Sequence, residues 1–376
     1  MNGLPALDVS GRLDRVRAAA AERSVDILVV TDLTNIRWTC GFTGSFGVVV
    51  VGTDAATLLT DSRYAEQAPG QLEAAGAPVD VVVTANPIAD GAASLPAGAT
   101  VGLEADAVTW AEQRRWADAI DTDLVATESV ITELRAVKDD AELARMQRAA
   151  EIVDDVLAEA QALLVAGSSE QAIARFLEDG MRDRGASGPA YETIVASGPN
   201  AALPHARPSD RRLVDGDLVV IDAGAVVDGY RSDMTRTFVV GAPDDIAAEI
   251  HGITTRAQAA GVAAVKPGIE VGHIDDVCRG IITDAGFGPR FGHGTGHGVG
   301  LDIHELPSVR RGNTAILQPG HVITVEPGIY LPGVGGVRVE DMVVVTDDGC
   351  RPLTNHPKIS LEPASETPCP PSPPTT

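Results

Sequence analysis

Five residues in the C-terminal half of this chain have the types and surroundings for metal chemistry: Asp222, Asp233, His297, Glu326 and Glu340. Asp222 closes the apolar run Leu218-Val219-Val220-Ile221, and Asp233 opens the strand-like run at 234–240. Glu326 closes Val322-Ile323-Thr324-Val325, and Glu340 precedes the valine-rich run at 342–345. Acids rarely sit inside buried strands unless they are paired or bound to metal. Four such acids with one histidine point to one or two divalent cations.

The spacing favours a pair. A turn signal, Asp228-Gly229, lies between Asp222 and Asp233. A hairpin centred on residues 227 and 228 would set the two aspartates directly opposite each other, with Cβ atoms about 4.5–5.5 Å apart. Two-metal hydrolases hold their ions about 3.5–4 Å apart, so carboxylates at that separation fit. Glu326 and Glu340 flank a second hairpin, with its loop at 331–336. His297 belongs to the glycine-rich segment Gly292-His293-Gly294-Thr295-Gly296-His297-Gly298, where missing side chains let backbone come close to a site. Structural zinc favours Cys and His, and catalytic zinc often has three protein ligands. An oxygen-rich set suits Mn, Mg or Ca better, and the one imidazole tilts the expectation toward Mn, Co or Fe.

These residues carry a family resemblance. The stretch 203–341 resembles the pita-bread metallopeptidases: proline dipeptidase (prolidase), aminopeptidase P and, more distantly, methionine aminopeptidase. The matching segments are Leu203-Pro204-His205, Val220-Ile221-Asp222-Ala223-Gly224, Gly229-Tyr230-Arg231-Ser232-Asp233-Met234-Thr235-Arg236-Thr237, the histidine-glycine segment through Gly300, His304-Glu305, Glu326-Pro327-Gly328-Ile329-Tyr330 and Val337-Arg338-Val339-Glu340-Asp341. The resemblance implies that Asp233 and Glu340 bridge two metals, that Asp222 binds one ion, and that His297 and Glu326 bind the other. It implies that His205, His293 and His304 line the substrate pocket, and it favours Glu326 as general base and acid. On its own His205 reads as a packed or surface histidine. Arg338 shares a strand face with Glu340 and is expected to pair with Asp222 or Asp341, supporting the ligands from behind. His251 and His321 read as structural. Two divalent ions are expected, manganese first, with cobalt, iron or zinc as alternatives.

The elements that must position these groups divide near residues 130–140. Before that, helix and strand alternate: 13–23 predicts a helix, 26–30, 46–51, 57–60, 79–83 and 101–104 predict strands, and 109–120 predicts another helix. Asp61-Ser62-Arg63-Tyr64 reads as a capped helix start. This α/β part, 1–135, resembles the N-terminal domain of creatinase, prolidase and aminopeptidase P. Residues 139–164 predict one long amphipathic helix, with Leu143, Met146, Ala150, Val153 and Leu157 at helical spacing. Gly167 and Gly185 bracket a helical segment that Gly268 and Gly286 repeat at the same spacing. Each copy precedes strand hairpins bearing two acids, as the pseudo-two-fold α+β halves of a pita-bread domain at 136–361 would. The tail at 362–376, with six prolines, reads as disordered.

Composition narrows the function classes. Lys+Arg is 29 against Asp+Glu 53, a net charge of −24, which opposes binding to nucleic acid or anionic membranes. The chain opens without a basic stretch leading into an apolar run, and its apolar runs are too short to span a bilayer. Cys40, Cys278, Cys350 and Cys369 have neither metal nor disulfide spacing, so reduced thiols and a cytoplasmic location are expected.

The reading is a metal-dependent exopeptidase acting on small peptides with proline at the second position, a dipeptidase before a longer-peptide aminopeptidase P. A homodimer follows from the resemblance alone. A metal-independent hydrolase of the creatinase kind, or a binding protein that keeps only the fold, would lack ligands that this chain retains.

Overall fold

The valine-rich runs near the N-terminus bury both faces of one sheet. In this computed structural model, which describes residues 3–361, β1 (Ile27–Val30), β2 (Val48–Val51), β3 (Ala56–Thr60), β4 (Asp80–Val83), β5 (Val101–Glu104) and β6 (Leu124–Thr127) form a six-stranded sheet in the order β4-β3-β2-β1-β5-β6. Alternate side chains enter different cores: Leu28, Val30, Val49 and Val51 on one face, Ile27, Val29, Val48 and Val50 on the other. That is the period-2 pattern of a strand covered on both sides. α1 (Arg12–Glu22) adds Leu13 and Val16 to the first core, and α5 (Trp110–Ala119) adds Trp116 to the second.

α2 (Leu33–Cys40), α3 (Gln67–Ala74), α4 (Pro87–Ala93) and α6 (Val130–Ala136) complete this part. α2 is too short for its periodicity to stand out in the sequence. Its ends are nonetheless encoded: Asp32 accepts the Asn35 N–H at 2.8 Å, and Gly41 closes the helix at φ 79°. Asp61 caps no long helix; its carboxylate accepts the Arg63 N–H at 2.9 Å over the short turn Ser62–Tyr64.

The predicted long helix is α7 (Asp140–Ala160), opened by a capping box between Asp139 and Glu142 and ended by a tighter turn, Gln161–Leu163. Met146, Ala150, Val153 and Leu157 are fully buried, so the stripe is core.

The glycine echo is structural. α8 (Glu170–Asp183) ends on Gly185 at φ 92°, and α10 (Val271–Asp284) ends on Gly286 at φ 89°, conformations that a side chain would strain. α8 packs on α7, and α10 packs on α9 (Asp245–Ala264). In the first half, β8 (Ile194–Ser197), β9 (Leu218–Ala223) and β12 (Met234–Val239) form a sheet with β9 central. β7 (Gly188–Pro189), β10 (Ala225–Val227) and β11 (Tyr230–Arg231) extend the β9–β12 hairpin. In the second half, β13 (Gly296–Gly298), β14 (Glu305–Val309), β15 (Val322–Val325), β18 (Asp341–Val345) and β19 (Cys350–Pro352) form a sheet ordered β14-β13-β15-β18-β19, while β16 (Gly328–Leu331) and β17 (Gly335–Arg338) form a ribbon. Thus an α/β part precedes an α+β part built of two similar halves. Among the described residues, no helix is long and apolar enough to cross a membrane. The proline-rich tail and Cys369 lie outside the described residues.

Candidate metal centre and its pocket

The two acid-bearing hairpins present their carboxylates through different local devices. In the first, Asp228 (φ 46°) and Gly229 (φ 77°) form the two-residue turn, the left-handed pair that a tight hairpin demands. The ladder pairs Val227 with Tyr230 and Asp222 with Thr235. Asp233 is therefore diagonal to Asp222 rather than directly opposite, which corrects the expected hairpin centre by one residue. The positive-φ pair had to take both turn positions. Asp222 and Asp233 still share a face, because the offset is two residues.

In the second hairpin, β15 pairs Val325 with Asp341 and the ribbon pairs Gly328 with Arg338. Glu326 and Glu340 occupy the break between these ladders and face each other in the same register, as their flanking of one loop implied. Thr235 joins the hairpins. Its carbonyl accepts the Glu340 N–H at 3.1 Å, and its hydroxyl donates to Glu340 Oε2 at 2.7 Å.

His297 lies on β13. Its Nδ1–H donates to the Gly298 carbonyl at 2.9 Å, which fixes the ring so that Nε2 is the nitrogen that meets the acids. That nitrogen is 3.5 Å from Asp233 Oδ2 and 3.4 Å from Glu326 Oε1. Ligating atoms of Asp233, His297 and Glu340 all lie within 4.8 Å of one another. Arg338 settles on Asp222, donating Nη2–H to Oδ2 at 2.6 Å, and also reaches Tyr330 Oη at 3.0 Å and the Pro204 carbonyl at 3.1 Å. Asp341 is taken instead by Arg236 and Lys358.

The electrostatics call for a cation. Burial first, then the neighbouring carboxylates, push Asp233 and Glu340 well above the ordinary carboxylate range. Among the described residues, Arg338 is the guanidinium that enters this cluster of four acids. Oxygen-rich donors with one imidazole, held this close, fit divalent ions.

One contributor had no signal in the sequence. Tyr191, half-buried just before β8, places its hydroxyl between Asp222 Oδ1 and Asp233 Oδ1. Burial, reinforced by those charges, holds the phenol well above its usual value, so it stays a proton donor. Nothing in Pro189-Ala190-Tyr191-Glu192 marks it out. Tyr191→Phe should weaken divalent-metal binding about tenfold, the scale for losing a group that orients a ligand. Calorimetric titration checks this, and unchanged affinity would remove Tyr191 from the site.

Above the acids opens a pocket of about 850 Å³, lined by His205, His293, His297 and His304 with Glu326 and Arg338 at its base. The His304 ring packs edge-on against His297 at 4.4 Å between centroids. His293 bonds Tyr330 Oη through Nε2 at 2.9 Å, and burial lowers its pKa. Burial also lowers that of His304, with the neighbouring His297 next in weight. All nine side chains singled out from the sequence thus converge here, while His251 and His321 are buried elsewhere. The rim adds Asp106, Ser129 and Thr132 from the α/β part, which no motif announces.

The model of metallopeptidase family M24 matches residues 144–347, and that of the creatinase/prolidase N-terminal domain matches residues 12–137. The chain belongs to metallopeptidase family M24. This M24 metallopeptidase is 39% identical to the uncharacterized peptidase YqhT of Bacillus subtilis over 92% of this chain and 98% of that one. It superposes on a Xaa-Pro dipeptidase from Bacillus anthracis with a TM-score of 0.89 at 37% identity, covering 93% of this chain and 98% of that one. An X-Pro aminopeptidase from Thermotoga maritima gives a TM-score of 0.83 at 35% identity, covering 92% and 98%. The pita-bread organisation anticipated from the sequence is the fold these neighbours share, and divalent metal chemistry comes with the family.

Proposed function

We propose that this enzyme hydrolyses the bond between an N-terminal residue and a following proline, with Xaa-Pro dipeptides as its first substrates. The observation that carries the reading is the convergence of Asp222, Asp233, His297, Glu326 and Glu340 beneath a pocket walled by His205, His293 and His304, on the fold of Xaa-Pro peptidases. In this reading residues 136–361 carry the chemistry and residues 1–135 frame the pocket.

Asp222, Asp233, His297, Glu326 and Glu340 would hold two divalent cations, with Asp233 and Glu340 shared; manganese is the expected ion, and cobalt, iron or zinc are alternatives. Such ions supply an activated water at neutral pH and stabilise developing negative charge. Glu326, half-buried at the pocket base, accepts the proton of the attacking water and returns it to the departing prolyl nitrogen. His304 and His205 face the scissile group from above, where a ring N–H supports the oxygen that becomes negative. The substrate's free α-amino group is drawn to Asp222 and its neighbours, which limits cleavage to one residue from the N-terminus. The bond before proline has no N–H, so a pocket that reads the ring by shape accepts what a general peptidase handles poorly.

The test is hydrolysis of Ala-Pro, Ala-Ala, N-acetyl-Ala-Pro and Ala-Pro-Ala by chelator-stripped protein with manganese restored. Ala-Pro should be cleaved much faster than Ala-Ala, and the acetylated peptide should resist. Comparable rates on Ala-Ala and Ala-Pro would sink the proline specificity. Faster cleavage of Ala-Pro-Ala would favour the second reading, an aminopeptidase P, which the Thermotoga neighbour supports. The reading includes a homodimer in the cytoplasm, checked by light scattering and cell fractionation.

A further inference from the structure

Among the described residues, His304 is placed by its surroundings rather than by a hydrogen bond of its own. Among the described residues its ring contact is the edge-on packing against His297. Its position therefore depends on the backbone on either side, and that backbone is tied to the α/β part by a buried ionic network. The next residue, Glu305, is buried, and its carboxylate receives Lys138 Nζ at 3.0 Å, the Asp302 N–H at 2.9 Å and the Arg135 guanidinium. Two residues before His304, Asp302 accepts Arg135 Nη2 at 2.7 Å and the Thr34 hydroxyl at 3.1 Å.

The guanidinium is itself oriented from the first sheet. Arg135 Nη1 donates to Asn35 Oδ1 at 2.7 Å, and Asn35 Nδ2 donates to Glu104 Oε1 at 2.6 Å. Glu104 ends β5, and its other oxygen accepts the Thr31 and Asp32 N–H groups at 2.6 and 2.9 Å. One planar fork thus reads α2 on one side and both flanks of His304 on the other. Apolar side chains would pack α6 as well as this network does, since buried ion pairs add little net stability. What a fixed fork adds is direction, which a lysine point charge lacks. Arg231, which holds the Gly300 and Leu301 carbonyls, is a second anchor from within the catalytic part.

We propose that Arg135, seated by Asn35 and assisted by Thr34, is a positioning residue for the peptidase reaction: it transmits the placement of the α/β part to His304 through Asp302 and Glu305. This rests on the proposed role of His304 in Xaa-Pro cleavage.

The test uses the full chain reconstituted with manganese, with Arg135→Lys and Thr34→Val each made alone and on a His304→Ala background. Arg135→Lys should lower kcat on Ala-Pro about tenfold, well inside the loss a misplacement near 1 Å can produce, with metal content unchanged. On the His304→Ala background the same substitution should change kcat by less than about twofold, the tolerance of additive sites. Equal losses on both backgrounds overturn the proposal, because a merely structural role would act regardless of His304. A second arm needs no activity: in ¹³C-histidine spectra of the zinc-loaded full chain, the His304 signal should move in both variants while that of His205 stays. An unmoved His304 signal overturns the proposal. A moved signal in a chain that does not cleave Ala-Pro keeps the positioning and rejects the Xaa-Pro reading. Thr34→Val removes one surface-side bond only, and it carries both arms if Arg135→Lys does not fold.

Discussion

Asp233→Ala and Glu340→Ala proteins should each bind manganese at least ~100-fold more weakly than the parent, the upper figure for losing a group that only supports a ligand, and should lose Xaa-Pro hydrolysis with it. Both side chains are almost fully buried, and both bring carboxylate oxygens to the point where His297 Nε2 arrives. The metal-free variants should not melt below the metal-free parent. Asp233 and Glu340 sit among Asp222 and Glu326, whose charges oppose their ionisation, so removing one relieves repulsion between like charges. Metal analysis by mass spectrometry and melting curves with and without chelator separate the effects. A variant that keeps its ions as purified, yet melts far below the metal-free parent once chelator has stripped it, would show a packing role instead.

His205→Ala and His304→Ala should lower kcat by roughly 10²–10³, the range for one hydrogen-bond donor that acts in the transition state, while both ions remain. Neither ring belongs to the cluster that draws together Asp233, His297 and Glu340, and both stand exposed on the pocket wall. His321→Ala is the control: it is buried outside the pocket, where Nδ1 accepts the Gln318 N–H at 3.2 Å. Its loss should affect stability rather than turnover. Histidine variants that shed metal, or that turn over like the parent, would reverse the division between ligands and pocket.

Much of this site is legible in the chain because its grammar is local. An acid that closes or opens a run of valines is conspicuous, since such a position is ordinarily apolar. Asp222, Asp233, Glu326 and Glu340 were all visible for that reason, and Asp228-Gly229 announced the hairpin between the first two. Even there the local rule had to be applied with the right turn: placing the positive-φ pair at its centre changes the partner of Asp222 from Asp233 to Thr235. The repeated glycines around α8 and α10 forecast two similar halves, and the stripe of α7 forecast a core helix.

The amino-acid sequence by itself determined which side chains could bind metal, which hairpins carry them, and the α/β-then-α+β order. These follow from periodicity, turn chemistry and the cost of burying charge, all of which act over a few residues. Only the tertiary structure decided that Tyr191 serves Asp222 and Asp233, that Arg338 chooses Asp222 over Asp341, and that Arg135 reaches Glu305 across 170 residues. Several acids and several guanidiniums of this chain were equally eligible by type. Which of them meet depends on how the two halves and the α/β part close on one another, and burial then makes each realised pairing obligatory, because a charge left unpaired inside costs several kcal/mol.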